Sequence, residues 1–295
     1  MPAHFEVEPL TAVKDSLKTM DGAWGDAEAL TFGDGTTWRP HLINGERLLA
    51  VHFEGELQPY LVRRLAAACA SAYRITLAVP LGVLLDETFL VQVADLDVEI
   101  IVLRNGGCEK SKPLLRVLTD QGITVSGPTR TVLARGAYAA NASDENPQSK
   151  GRRFEGLLGF LFGQTQGLRV QEYNLRTATE ELDLVLQLNS LDGPRCWCQL
   201  GKPFILVEAK YWKDTVGQAV ISAFQTKLAG KPLASALGIV VARSDFTEDA
   251  VTQVIRFSLA NNSIVLIRGE QVEEWIESPD PDEYLESLIR RGLLA

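Results

Sequence analysis

The stretch Phe204-Ile-Leu-Val-Glu-Ala-Lys-Tyr-Trp212 constrains the fold more than any other part of the chain. Its first four residues read as a buried strand, the kind found in sheets covered by helices. It then meets a carboxylate, Glu208, and an amine, Lys210, two residues apart. Side chains alternate along a strand, so Phe204, Leu206, Glu208 and Lys210 share one face, while Ile205, Val207 and Ala209 share the other. Either the strand emerges into solvent and ends in a surface pair, or it delivers charge to a site. An isolated Glu-x-Lys is usually a surface pair.

The first half of the chain alternates strand and helix. Residues 47–55, 74–80, 98–105 and 123–127 read as strands, and 57–73, 85–96 and 112–122 as helices, the last closed by Gly122. That order implies a Rossmann-like parallel sheet with helices packed on it. Before it, HFEVEPL reads as a strand, TAVKDSLKTM as a short helix and TFGDGTTWRP as turns. No G-x-G-x-x-G or Walker loop is present, and the glycines of FGDGTTW and RNGGCEK read as turn formers. His4, His41 and His52 are scattered, and His52 reads as a packed strand histidine. Parallel sheets bind ligands beyond the carboxyl ends of their strands, which leaves room for a small-molecule regulator in this half. The polar segment 139–151 reads as a linker and sets the expected division into domains 1–147 and 148–295.

The second half reads as a helix at 149–164, strands at 168–175 and 181–189, a long polar loop at 189–203, and the strand at 204–210. A helix at 216–230, a strand at 236–244, a helix at 247–262 and a strand at 263–269 follow, then an acidic tail. Thr247 with Glu248 and Asp249 is a good helix start. This order implies a mixed sheet between helices, so the chain as a whole is α/β.

In EELDLVLQL, Leu182, Leu184 and Leu186 face one side, and Glu181, Asp183, Val185 and Gln187 the other. If this strand neighbours 204–210, then Asp183, Glu208 and Lys210 converge. Two carboxylates held together at the end of an apolar sheet repel each other and need compensation. A hard divalent cation supplies it, because Mg²⁺ takes one or two carboxylates and keeps several waters. A nearby lysine can stabilise phosphate charge or orient a metal-bound water. These are the parts needed to hydrolyse a phosphodiester. Glu181, beside Glu180, reads as a solvated turn carboxylate.

Composition restricts the alternatives. Of 295 residues, 46% are hydrophobic and 23% charged, which is ordinary globular usage, and the length suggests two domains. The net charge of −9 argues against tight non-specific nucleic-acid binding but leaves room for a local basic groove. The apolar runs are too short and broken for a membrane span, and the first residues do not read as a secretory signal. Four cysteines, only Cys196 and Cys198 close together, complete no zinc pattern and read as reduced cytoplasmic thiols.

Taken together, residues from about 150 to 275 resemble the PD-(D/E)xK nuclease superfamily, and most of all its Mrr-type restriction endonuclease branch. The matching features are Phe154-Glu155 in the first helix, Glu181-Leu-Asp183-Leu, Glu208-Ala-Lys210-Tyr-Trp and Val216-Gly217. Downstream, Gly238-Ile-Val-Val, Ser244-Asp-Phe-Thr-Glu-Asp-Ala250 and Ile264-Val-Leu-Ile-Arg-Gly269 also match. Leu182 stands where the superfamily's name has proline. The resemblance implies a restriction-endonuclease-like α/β/α domain in which Asp183, Glu208 and the carbonyl of Ala209 bind Mg²⁺ or Mn²⁺. It implies Lys210 near the attacking water, Glu155 completing the acidic cluster, and Gln225 facing the same region. Cys196-Trp197-Cys198 lies in a longer loop than usual and reads as a surface insertion.

The expectation is therefore a metal-dependent endonuclease acting on DNA as a homodimer in the cytoplasm, in defence against foreign DNA, and gated through its N-terminal domain. Phosphate contacts fall to Lys202, Lys210, Lys213, Lys227, Lys231, Arg152 and Arg153. Two alternatives stay open: a non-catalytic binding or assembly protein with the same fold, and an RNase on the same scaffold.

Overall fold

The computed structural model describes residues 10–21, 24–104, 107–143, 146–176, 181–189, 202–231, 235–258 and 263–294. The expected strand HFEVEPL, apart from Leu10, and the Cys-Trp-Cys loop lie outside the described residues. The chain divides into two compact units, Met1–Ile123 and Thr124–Ala295.

The first unit contains α1 (Leu10–Asp21), then β1 (Gly25–Asp26), β2 (Leu30–Thr31), β3 (Thr37–Trp38), β4 (Leu42–Asn44) and β5 (Arg47–Val51). It continues with α2 (Pro59–Ala70), β6 (Arg74–Pro80), α3 (Glu87–Val93), β7 (Val98–Arg104), β8 (Gly107–Cys108), β9 (Lys112–Pro113) and α4 (Leu114–Asp120). Strands β5, β6 and β7 are parallel neighbours, and β4 and β1 extend the sheet antiparallel beyond β5. Leu48 to Val51, Ile75 to Val79 and Ile100 to Val102 are buried without alternation, as in a sheet covered on both faces. Pro59 opens α2 with its ring at the first helical position, where a missing N–H costs nothing. Asp86 caps α3 by accepting from the Thr88 N–H at 2.9 Å. Gly122, at φ +63°, ends the turn after α4 in the left-handed conformation that favours glycine.

Residues 123–127 are not a fourth parallel strand. The edge of β7 where such a strand would dock is taken by β8 and β9, both antiparallel to it. The Val125 N–H instead donates to Gln164 Oε1 at 3.0 Å.

The second unit begins with α5 (Gly127–Ser143) and α6 (Pro147–Gly163). Most of the polar stretch expected as a linker is therefore helical. Its alanines extend α5, and Asn146 accepts from the Gln148 and Ser149 N–H groups to cap α6, with Pro147 at the first position. Then follow β10 (Leu168–Arg176), β11 (Glu181–Leu188), β12 (Phe204–Lys210), α7 (Gln218–Ala229), β13 (Ser235–Ala242), α8 (Glu248–Ser258) and β14 (Ser263–Ile267). The acidic tail folds into α9 (Gly269–Glu277) and α10 (Pro281–Leu294), joined where Trp275 Nε1 donates to the Pro281 carbonyl at 3.0 Å.

The sheet order is β10-β11-β12-β13-β14. The first three strands are antiparallel, and β12, β13 and β14 are parallel, joined through α7 and α8. Leu206, Ile221, Phe224, Leu228 and Val240 belong to one buried cluster that docks α7 on the sheet. Burying a phenylalanine such as Phe224 contributes about 1.5–3 kcal/mol. The close approach needs Gly238, where a Cβ would lie 2.5 Å from the Phe224 ring.

Candidate active site

The site lies where β11 and β12 part. Their pairing runs from Gln187↔Phe204 to Leu184↔Val207. The ladder stops there, and one step further Asp183 stands opposite Glu208. The Ala209 N–H donates to Asp183 Oδ2 at 2.7 Å, so a side-chain carboxylate fills the gap between the strands. The Ala209 carbonyl points to the same side of its strand as its N–H.

On the other flank, Asn174 of β10 lies between the pairs Tyr173↔Leu184 and Leu175↔Leu182, and so stands opposite Asp183. Asn174, Asp183 and Glu208 thus form a row across three strands, ending at apolar Val240 on β13. The Asn174 backbone has φ +50°, a conformation asparagine tolerates better than most residues. Its Nδ2 donates to Glu155 Oε2 at 3.0 Å, tying α6 to the row. The preceding residue, Phe154, is fully buried and packs edge-on against Tyr211 at 5.3 Å, which fixes that turn of α6 over the end of β12.

The electrostatics follow from burial. The Asp183 carboxyl is pushed above the usual carboxylate range by burial and by the charge of Glu208, against the pull of the Ala209 N–H, Lys210 and Lys227. Burial raises Glu155 to about 7, helped by Asp183 and Glu181 and opposed by the Asn174 hydrogen bond and Lys210. The Glu208 side chain is only 8% exposed and lies between two ammonium groups. Lys210 Nζ donates to its Oε1 at 2.6 Å and Lys227 Nζ to its Oε2 at 2.8 Å. Lys227 also donates to the Glu181 carbonyl at 2.7 Å.

Asp183, Glu208, Ala209 and Lys210 are therefore brought together, and Glu155 joins them through Asn174. Among the described residues, no three His, Cys, Asp or Glu side chains are close enough to hold a metal ion jointly. The fit to an ion rests on two carboxylates from adjacent strands and one backbone carbonyl. This hard-oxygen set suits Mg²⁺ or Mn²⁺.

Three placements differ from the sequence reading. Gln225 is buried against α8, donating to the Gln253 carbonyl at 3.2 Å and accepting from Gln253 Nε2 at 2.8 Å, so it does not face the site. Lys227, expected at the surface as a phosphate contact, grips Glu208. Its signal was its place seven residues after Val220 and three after Phe224, along the stripe that faces the sheet. Asn174 was missed altogether, although asparagine is depleted in strands and its presence in one calls for a reason. Glu181 is exposed and pairs with Arg176 at 3.1 Å, as a solvated carboxylate should.

The first unit holds a cavity of about 590 Å³ beside the carboxyl end of β5. Trp38, His41, His52, Tyr60 and Arg64 line part of it. His41 Nδ1 accepts from the Val51 N–H at 3.0 Å. His52 is held below its usual pKa by burial, and its buried Nε2 has no hydrogen-bond partner among the described residues.

No helix among the described residues is long and apolar enough to cross a membrane. No curated protein matches the chain. Among solved structures, protein VC1899 from Vibrio cholerae is similar over 79% of this chain and 80% of its own, at 10% identity and a TM-score of 0.31. Residues 148–276 match the Mrr_cat family, described as restriction endonuclease. The strand row, the Glu-x-Lys strand end and the mixed sheet all lie within that segment, and residues 148–276 are a restriction endonuclease domain of the Mrr type, within the PD-(D/E)xK superfamily.

Proposed function

We propose that this nuclease domain hydrolyses the phosphodiester bonds of DNA with a bound Mg²⁺ or Mn²⁺. The observation that carries the reading is the Asp183 carboxylate set in the gap between β11 and β12 beside Glu208, with Lys210 on the same carboxylate. Asp183, Glu208 and the Ala209 carbonyl would hold the ion. When bound, the ion supplies Lewis acidity and a more acidic water. Lys210 orients that water and balances charge on the phosphate. Glu155, near neutrality in its pKa, accepts or returns a proton at the edge of the site. Lys202, Lys213, Lys231, Arg152 and Arg153 steer the backbone of the substrate through phosphate contacts.

Residues 1–147 provide control. The N-terminal cavity, with aromatic walls, His41 and Arg64, receives a small molecule whose binding gates cleavage. The protein then acts as a ligand-gated homodimer in the cytoplasm against foreign DNA, an assignment by analogy with restriction enzymes.

The test incubates supercoiled, linear and single-stranded DNA, and RNA, with Mg²⁺ or Mn²⁺. Cleavage of DNA that disappears in Asp183→Ala and Lys210→Met supports the reading. Cleavage that survives either change rejects the assigned site, and cleavage of RNA alone transfers the site to an RNase.

A further inference from the structure

The site as it stands contains its own counter-ions. Asp183 and Glu208 bring two negative charges, and Lys210 and Lys227 bring two positive ones, both placed on Glu208. One ammonium suffices to neutralise Glu208, so the second balances Asp183. The two lysines are not equivalent. Lys210 lies on β12 two residues from Glu208 and travels with the strand. Lys227 comes from the last turn of α7, a different element, and its Nζ bridges Glu208 Oε2 and the Glu181 carbonyl. The Lys227 side chain is 20% exposed, so part of it already meets solvent.

A divalent ion entering between Asp183 and Glu208 meets two ammonium groups already bonded to the Glu208 oxygens, and its charge repels both. We infer that Lys227 is a resident competitor for the metal: it holds Glu208 in place before the ion loads, and its positive charge opposes the loading. Lys227 thereby sets the metal concentration at which the domain becomes competent. It is a positioning residue, and its role rests on the metal-dependent reading above.

The experiment is calorimetric titration of the full-length protein with MnCl₂, without nucleic acid, so that no turnover intervenes. Wild type is compared with Lys227→Met, Lys227→Gln, Lys227→Arg and Asp183→Asn. Glutamine keeps a polar side chain without the charge, so it serves if the methionine variant does not fold. Removing one unit charge a few ångströms from the ion tightens Mn²⁺ binding by about tenfold in Lys227→Gln and Lys227→Met. Lys227→Arg binds as wild type does, and Asp183→Asn loses the site. If Asp183→Asn abolishes binding while the neutral Lys227 variants bind no more tightly than wild type, Lys227 is a structural strut and the inference fails alone. If Asp183→Asn binds Mn²⁺ like wild type, the metal-site reading and this inference fail together.

Discussion

The backbone N–H of Ala209 donates to the Asp183 carboxylate where the β11–β12 ladder would otherwise continue. One side chain thus does two jobs: it completes the hydrogen bonding of β12 and presents an acidic group at the site. The two jobs separate by substitution.

In Asp183→Ala the Ala209 donor is left without its acceptor. A buried unmet donor costs about 1–3 kcal/mol, so unfolding by urea should begin at lower concentration. In Asp183→Asn the amide oxygen still accepts, and stability should stay within about 0.5 kcal/mol of wild type. Both variants should lose cleavage by at least two orders of magnitude. Equal stability in the alanine and asparagine variants would contradict this account of the N–H.

Lys210→Met removes one of the two ammonium groups on Glu208 and leaves the Lys227 pair at 2.8 Å. The fold should persist, with a thermal midpoint near wild type, while cleavage falls by about 10²–10⁴-fold, the range for a positioned proton-transfer or charge-balancing group. Full-length protein that melts far below wild type would make Lys210 a folding residue instead.

Glu155 gives a pH signature. Its folded pKa is raised from the ordinary carboxylate value to about 7. Between those values the folded state holds the proton more tightly than the unfolded chain does. The associated stability is fully present below the ordinary value and lost as pH rises through 7. Glu155→Gln, which keeps an acceptor for Asn174, should flatten that decline, gaining most above pH 7. Asn174→Ala removes a hydrogen bond that lowers the Glu155 pKa, and should move the decline to higher pH. Urea midpoints from pH 4 to 9 for the three proteins decide this, and coincident curves for wild type and Glu155→Gln would reject it.

Gly238→Ala should destabilise the second unit by about 1–3 kcal/mol, the usual cost of overpacking, because its Cβ would lie 2.5 Å from the Phe224 ring. Phe224 and Lys227 share α7, so lifting the helix should also lengthen the Lys227–Glu208 pair. Phe224→Leu in the same protein should recover part of the lost stability, a coupling read from a double-mutant cycle.

Much of this was legible in the sequence because it depends on strand alternation. The period of two puts Asp183 and Glu208 on matching faces before any pairing is known, and in the β11–β12 register the two stand opposite each other. Packing relationships were less visible. Residues 123–127 have a strand's composition, but only the folded sheet shows the edge of β7 already taken by β8 and β9. Lys227 and Gln225 sit two positions apart on one helix, and the stripe that carries Lys227 does not tell which partner either of them meets. Docking decides it: Phe224 settles over Gly238, which turns Lys227 to Glu208 and Gln225 to Gln253.

Strand β10 carries one more consequence. It is an outer strand of its sheet, yet its register slips between Val170 and Glu172, and Asn174, two residues after Glu172, turns its backbone into left-handed territory. Such irregularities curl an edge and spoil it as a template for a neighbour's strand. The geometry that aims Asn174 at Glu155 therefore also guards this edge against pairing with a strand of another chain.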